Sequence, residues 1–203
     1  MPVRVERRGM LLIISGPSGT GKGTLVKMLM DSDPSFRFSC SVTTRKPREG
    51  ELEGVHYHFV SEAEYAAMVQ NGEFLEHASV HGHSYGTLRR PVEEMMARGF
   101  NVLLDIDPQG AVSVMENTED YVSVFILPPS FEDLRVRLHT RNTDDPVEIE
   151  RRLLNARGEV GKIGRYQYAI INDNLELAFS QLQCIANAEK QRTTRFKPVI
   201  GEN

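Results

Sequence analysis

Apolar residues run unbroken from Met10 to Ile14, and Leu25, Val26 and Leu29 then recur at helical spacing after a polar, glycine-rich interval. The pattern predicts a strand, a tight loop and a helix. Asp31-Ser32-Asp33-Pro34 breaks that helix, and the alternation from Phe36 to Val42 predicts a second strand. A polar, turn-rich stretch from Thr43 to Gly50 leads into further alternation over Val55–Val60. Ser61-Glu62-Ala63-Glu64 forms a capping box for a helix that Asn71-Gly72 ends. Phe74 to Val80 reads as a strand and His81 to Gly86 as a tight turn back, so residues 37–88 make a small, strand-rich insertion.

Pro91 and Gly99 bracket another helix, and Asn101 to Asp107 is an apolar strand ending in acids. A short helix over Pro108–Met115, a strand over Tyr121–Leu127 and a helix capped at Ser130 follow. Thr143-Asp144-Asp145-Pro146 opens a highly charged helix through Arg157. The last strand is Tyr168–Ile171 and the last helix Leu175–Glu189. Strands alternating with helices imply an α/β fold with a mostly parallel sheet, right-handed crossovers and a ligand at the carboxyl ends of the strands.

The 203 residues, 40% hydrophobic and 26% charged, suffice for one sizeable core. Twenty-four basic against 28 acidic residues give −4, which opposes a protein that coats nucleic acid or anionic membrane through bulk charge. Any anion is bound locally. Cys40 and Cys184 are far apart and have no metal-ligand spacing, so neither a disulfide scaffold nor a zinc site is expected. Arg4, Arg7 and Arg8 precede an apolar run too short for a signal peptide, and a cytoplasmic location is expected.

The loop Gly16-Pro17-Ser18-Gly19-Thr20-Gly21-Lys22-Gly23-Thr24 satisfies the pattern Gly-x-x-x-x-Gly-Lys. Glycines let backbone N–H groups curl inward, the helix directs its positive end at the same point, and the lysine reaches the outer phosphates of a nucleoside triphosphate. The next position usually carries a hydroxyl for magnesium but is Gly23. Thr24 is the alternative, so the magnesium contact stays open. In the insertion, Arg45 and Arg48 lie three apart and, with Tyr57 and Tyr85, offer two guanidinium forks and two phenols to a further phosphate. Solvated turn charges are the competing reading.

At these residues the chain resembles guanylate kinases. The matching segments are the phosphate loop, Ser41 to Glu51, Tyr57 to Val60, Phe74 to Ala78, Tyr85 to Thr87, Leu104 to Gly110, Leu127 to Ser130 and Ile171 to Asp173, in order over nearly the whole chain. The resemblance implies a phosphate-loop three-layer fold divided into a core (1–36, 89–130 and 158–203), a GMP-binding insertion (37–88) and a helical lid (131–157). It implies that Arg45, Arg48, Tyr57 and Tyr85 hold the GMP phosphate, that Ser41, Glu76 and Thr87 read guanine, and that Asp107 also binds GMP. Arg137, Arg141 and Asn172 join the loop in binding ATP, and Lys22, Arg45, Arg137, Arg152, Asp105 and Asp107 serve the transfer. Guanine's ring N–H and exocyclic amine suit one carboxylate, whereas adenine presents an acceptor at the ring position.

Competing uses exist for several of these. Glu76 also fits an exposed strand face, Asp105 and Asp107 fit magnesium or a helix N-cap, and the lid arginines fit pairs with Asp133, Glu148 or Glu150. The expected activity is in-line transfer of the γ-phosphoryl of ATP, with Mg2+, to GMP and also dGMP, without a covalent intermediate or general base. A non-catalytic phosphopeptide-binding module and a kinase for another nucleoside monophosphate are the alternatives; the intact Lys22 loop opposes the first and Glu76 the second. Whether the chain forms a homo-oligomer is left open.

Overall fold

The computed structural model describes residues 4–48, 50–80, 82–140 and 146–199. In chain order these form β1 (Arg4–Arg7), β2 (Leu11–Ser15), α1 (Lys22–Ser32), β3 (Phe36–Phe38), β4 (Ser41–Thr43), β5 (Tyr57–Phe59), α2 (Glu62–Gln70), β6 (Phe74–Val80) and β7 (His83–Leu88). There follow α3 (Arg89–Ala97), β8 (Asn101–Asp105), α4 (Pro108–Glu116), β9 (Val122–Leu127), α5 (Phe131–Thr140), α6 (Pro146–Val160), β10 (Tyr168–Ile171), α7 (Leu175–Lys190) and β11 (Phe196–Val199).

The main sheet is parallel, in the order β10-β9-β2-β8-β3. Its central strand is continuously apolar because both faces are covered. Met10, Leu12 and Ile14 pack with Leu25, Leu29, Leu182 and Ala186 on one side. Leu11 and Ile13 pack with Val92, Met96, Ala111 and Val114 on the other. The chain moves from β2 to β3 at one edge and later to β9 on the opposite side, so the sheet switches direction at β2, where ligands bind in such folds.

The insertion has its own sheet, β5-β4-β7-β6, and a small core of Val42, Tyr65 and Phe74 under α2. Ser61 caps α2 through the expected reciprocal box with Glu64. The single strand expected over Phe36–Val42 is instead two: β3 pairs with β8 in the main sheet and β4 with β5 and β7 in the small one. The junction falls at Ser39-Cys40. The turn expected from 81 to 86 is also shorter, since His83 to Leu88 already form β7 and Ser84, Tyr85 and Gly86 lie on it. Helices α5 and α6, the pair expected as a lid, pack on each other around Leu134, Leu138, Ile149 and Leu153.

An antiparallel ribbon of β1 and β11 joins the two ends of the described chain and was not expected. It is anchored by Arg195, which is 2% exposed, donates to Glu189 over 2.7 Å and also pairs with Asp120. Among the described residues, no helix is long and apolar enough to cross a membrane.

Candidate active site

The phosphate loop leaves β2 at Ser15 and closes at the start of α1. Gly16 has φ 137°, and a Cβ there would stand 2.2 Å from the Ile126 carbonyl oxygen. Gly21 has φ 90° and no room for a Cβ beside the Asn172 amide at 2.4 Å. Both positions therefore require glycine. Gly21 provides no side-chain cap for α1, so no N-cap side chain takes up the first helical N–H groups, which leave the helix at the mouth of the loop. Lys22 Nζ donates to the carbonyls of Gly16 (2.6 Å) and Pro17 (2.9 Å), which holds the ammonium over the loop. Ser18 lies on the loop opposite the lid, and Thr20, fully buried, donates from its hydroxyl to Pro17.

Asn172 ties three elements together at this point. Its Nδ2 donates to Thr20 O (2.8 Å), its N–H to Leu127 O (2.8 Å), and its carbonyl accepts from Arg137 Nη2 (2.8 Å). Arg137 of α5 and Asn172 line a cavity of about 410 Å³ together with Gly19, Gly21 and Thr24. Arg152 of α6 reaches the loop, donating to Ser18 Oγ over 3.3 Å while its Nε meets Glu148. Pairing within the lid thus accounts for Arg135 with Glu150 and Arg151 with Glu148, whereas Arg152 does both. Asp133 instead accepts from Ser130 at the start of α5. Arg141 lies outside the described residues.

The end of β8 supplies two acids. Burial pushes the Asp105 carboxyl up and the charge of Lys22 pulls it back. Gly23 needs no glycine for space, since a Cβ there would meet only Asp105 Oδ2, at 3.9 Å. Asp107 is the N-cap of α4: its Oδ1 accepts from Gln109 N (2.8 Å) and Gly110 N (3.1 Å). Its Oδ2 faces the Cα of Gly110, where Glu76 arrives from the insertion.

Glu76 is turned inward by a break in strand register. Phe74 pairs with Leu88 but Glu76 with Thr87, so Leu75 is the extra residue of a bulge, and Phe74, Leu75 and Glu76 are buried in succession. With Glu76 8% exposed, the solvent-facing alternative is excluded. Its Oε1 accepts from Thr87 Oγ1 (2.8 Å), and a Cβ on Gly110 would lie 3.2 Å from Oε2. Burial pushes the Glu76 carboxyl up, with the Thr87 hydroxyl opposing. Ser41 opens β4 beside Tyr57 and is half-buried.

Arg45 stands over the Tyr57 ring at 5.5 Å, and the Tyr57 and Tyr85 rings meet edge to face at 6.0 Å. Its Nη2 donates to Glu51 Oε1 over 2.8 Å, while Glu51 Oε2 accepts from Arg48 N over 2.7 Å. The Arg45 hydrogen bond holds the Glu51 carboxyl far down, at about 2, and the same contact raises the Arg45 guanidinium. Arg45 is therefore no solvated turn charge, whereas Arg48 is exposed. Glu51 went unassigned in the sequence; a carboxylate six residues past an arginine in one turn was the available signal.

The guanylate kinase family model matches residues 8–189. A guanylate kinase of Clostridium perfringens is 44% identical over 201 residues, covering 99% of this chain and 93% of that protein. One of Agrobacterium fabrum is 46% identical over 195 residues, covering 96% and 89%. The crystal structure of guanylate kinase from Anaplasma phagocytophilum superimposes with a TM-score of 0.73 at 36% identity, covering 96% of this chain and 93% of that one.

Proposed function

The chain belongs to the guanylate kinase family, and we propose how its residues divide the transfer of a phosphoryl group from ATP to GMP. It is a nucleoside monophosphate kinase, on an α/β phosphate-loop fold. The observation that carries the assignment of roles is Glu76: a carboxylate 8% exposed, with Thr87 as its hydrogen-bond partner, facing Asp107 across Gly110. A buried acceptor of this kind calls for a donor, and guanine brings two adjacent ones.

In this reading Glu76, Thr87, Asp107 and Ser41 hold the base, and Arg45, Arg48, Tyr57 and Tyr85 hold the acceptor phosphate. The loop and α1 take the phosphates of ATP, with Arg137, Asn172 and Thr24 lining the nucleoside cavity. The attacking phosphate oxygen is ionised at neutral pH, so no general base is required. Lys22 and Arg152 offset the charge that the three equatorial oxygens carry during transfer, and the lid and insertion exclude water by closing on the core. Asp105, whose Oδ2 lies 3.9 Å from where a Cβ on Gly23 would stand, is the acid we assign to a hard divalent cation at the start of α1, and Thr24, one residue further along the helix, is the hydroxyl we assign beside it. Bound there, magnesium supplies charge neutralisation at the outer phosphates. We place the protein in the cytoplasm; its free thiols suit that compartment.

The discriminating experiment measures ADP formation from ATP with GMP, AMP, CMP and UMP in turn. GMP should give the highest efficiency by orders of magnitude; no turnover with any acceptor would support a binding module, and another winner would displace the base assignment.

A further inference from the structure

The two ends of GMP take up every insertion group named above, and none of them is left for the sugar between. Beside Asp107, on the side of the core that faces the lid, opens a cavity of about 520 Å³. Asp107 and Gln109 of α4 form one wall, and Leu154, Asn155, Gly158 and Glu159 of α6, with Lys162 just beyond it, form the other. Asp107 therefore belongs both to the base site and to this cavity.

We propose that Asn155 and Glu159 recognise the ribose hydroxyls of GMP and set the preference for ribonucleotide over deoxyribonucleotide. This rests on the assignment of the base and phosphate sites above. Asn155, Gly158 and Glu159 stand at i, i+3 and i+4, on one face of α6. Gly158 adds no bulk to that face, as a Cβ there would meet nothing within 4 Å, so a sugar approaches the helix between the two polar side chains. A carboxylate accepts from vicinal hydroxyls, the chemistry by which an acidic residue reads ribose in dinucleotide sites. Glu159 is half-buried and lines the cavity opposite Asp107; burial raises its carboxyl, and Lys22 lowers it.

Spacing along the same helix supports this. Arg152, which touches Ser18 of the phosphate loop, precedes Glu159 by seven residues, roughly 10 Å at 1.5 Å per residue. One helix face thus presents a cation to the transferring phosphates and, two turns on, a hydroxyl acceptor where the sugar of the acceptor nucleotide follows.

The test is the ratio of catalytic efficiencies for GMP and dGMP in the full chain, its Glu159→Ala variant and its Asn155→Ala variant. Wild type should favour GMP by about tenfold, the loss of one or two hydroxyl contacts, and Glu159→Ala should bring the ratio close to one, chiefly through GMP. Asn155→Ala should give an intermediate ratio. A wild type that does not distinguish the two sugars, or a Glu159→Ala variant that loses activity on both by one factor, overturns the ribose assignment while GMP turnover leaves the site assignment standing. Failure of wild type to phosphorylate either would instead overturn the site assignment on which it depends.

Discussion

Arg45 donates to Glu51 at 2.8 Å, and the other oxygen of the same carboxylate accepts from the Arg48 main chain, so one acid braces both arginines assigned to the GMP phosphate. With Nη2 on Glu51 and Nη1 on the Lys46 carbonyl at 2.8 Å, the Arg45 guanidinium is already ordered beside Tyr57, which lowers the ordering needed on binding. Glu51→Ala should therefore raise KM for GMP roughly tenfold and reduce kcat much less. Steady-state kinetics with GMP varied checks this. An unchanged KM would mean that the pair only stabilises the turn.

The same carboxyl sets a pH dependence. Its folded value of about 2 lies below the ordinary 4.5, so its contribution to stability is complete above 4.5 and is lost as pH falls through 2. The difference in thermal stability between wild type and Glu51→Gln should be constant near neutrality and close as the pH drops from 4.5 toward 2. A gap that widens on acidification would contradict the pairing.

Two loop glycines should respond oppositely to alanine. Gly16→Ala forces a side chain into φ 137° and against the Ile126 carbonyl, and should destabilise by about 2 kcal/mol or more. Gly23→Ala meets only Asp105 Oδ2, at the ordinary contact distance of 3.9 Å, in the first turn of α1 and should be neutral or stabilising by up to about 1 kcal/mol. Denaturant midpoints at constant m-value decide between these and the reverse order.

Much of this was legible in the chain. The apolar run into Gly16 and the capping box at Ser61 are set by local sequence, as is the apolar strand that ends at Asp105, and the structure places strand, cap and strand end there. What was illegible depended on partners distant in sequence. Alternation over Phe36–Val42 is the same whichever sheet receives it, so the switch between sheets at Ser39-Cys40 left no mark. The β1–β11 ribbon is four residues long on each side and contains Pro198, too weak a pattern to stand alone. From the residues alone Glu76 fitted an exposed strand face as well as a base-reading site, because a bulge that inverts strand facing is set by the partner strand. Asn172 shows its role as a clamp on Thr20 only once 152 residues of separation have been folded away.

Lys22→Met should lower kcat at least a hundredfold and leave GMP affinity within about twofold, because the ammonium serves the loop and the outer ATP phosphates while the insertion holds the acceptor. Turnover and GMP titration of the same preparation measure both quantities. Near-normal kcat would remove Lys22 from the transfer, and loss of GMP affinity would show that the two sites are not separate.

The most direct measurement is the ratio of kcat/KM for GMP to that for AMP, in wild type and in Glu76→Gln. The amide keeps the size of the side chain and an acceptor for Thr87 but turns a donor toward one of guanine's two donors. GMP should lose roughly tenfold to a hundredfold in efficiency, the worth of one charge-assisted contact. AMP should lose less, because its ring position never supplied a donor and the buried carboxylate it meets in wild type is relieved of its charge. A GMP-to-AMP ratio that falls, by as much as the whole GMP loss if AMP is unaffected, is the predicted result. Equal losses on both nucleotides would contradict the claim that Glu76 reads the base and would reduce it to a support for the insertion.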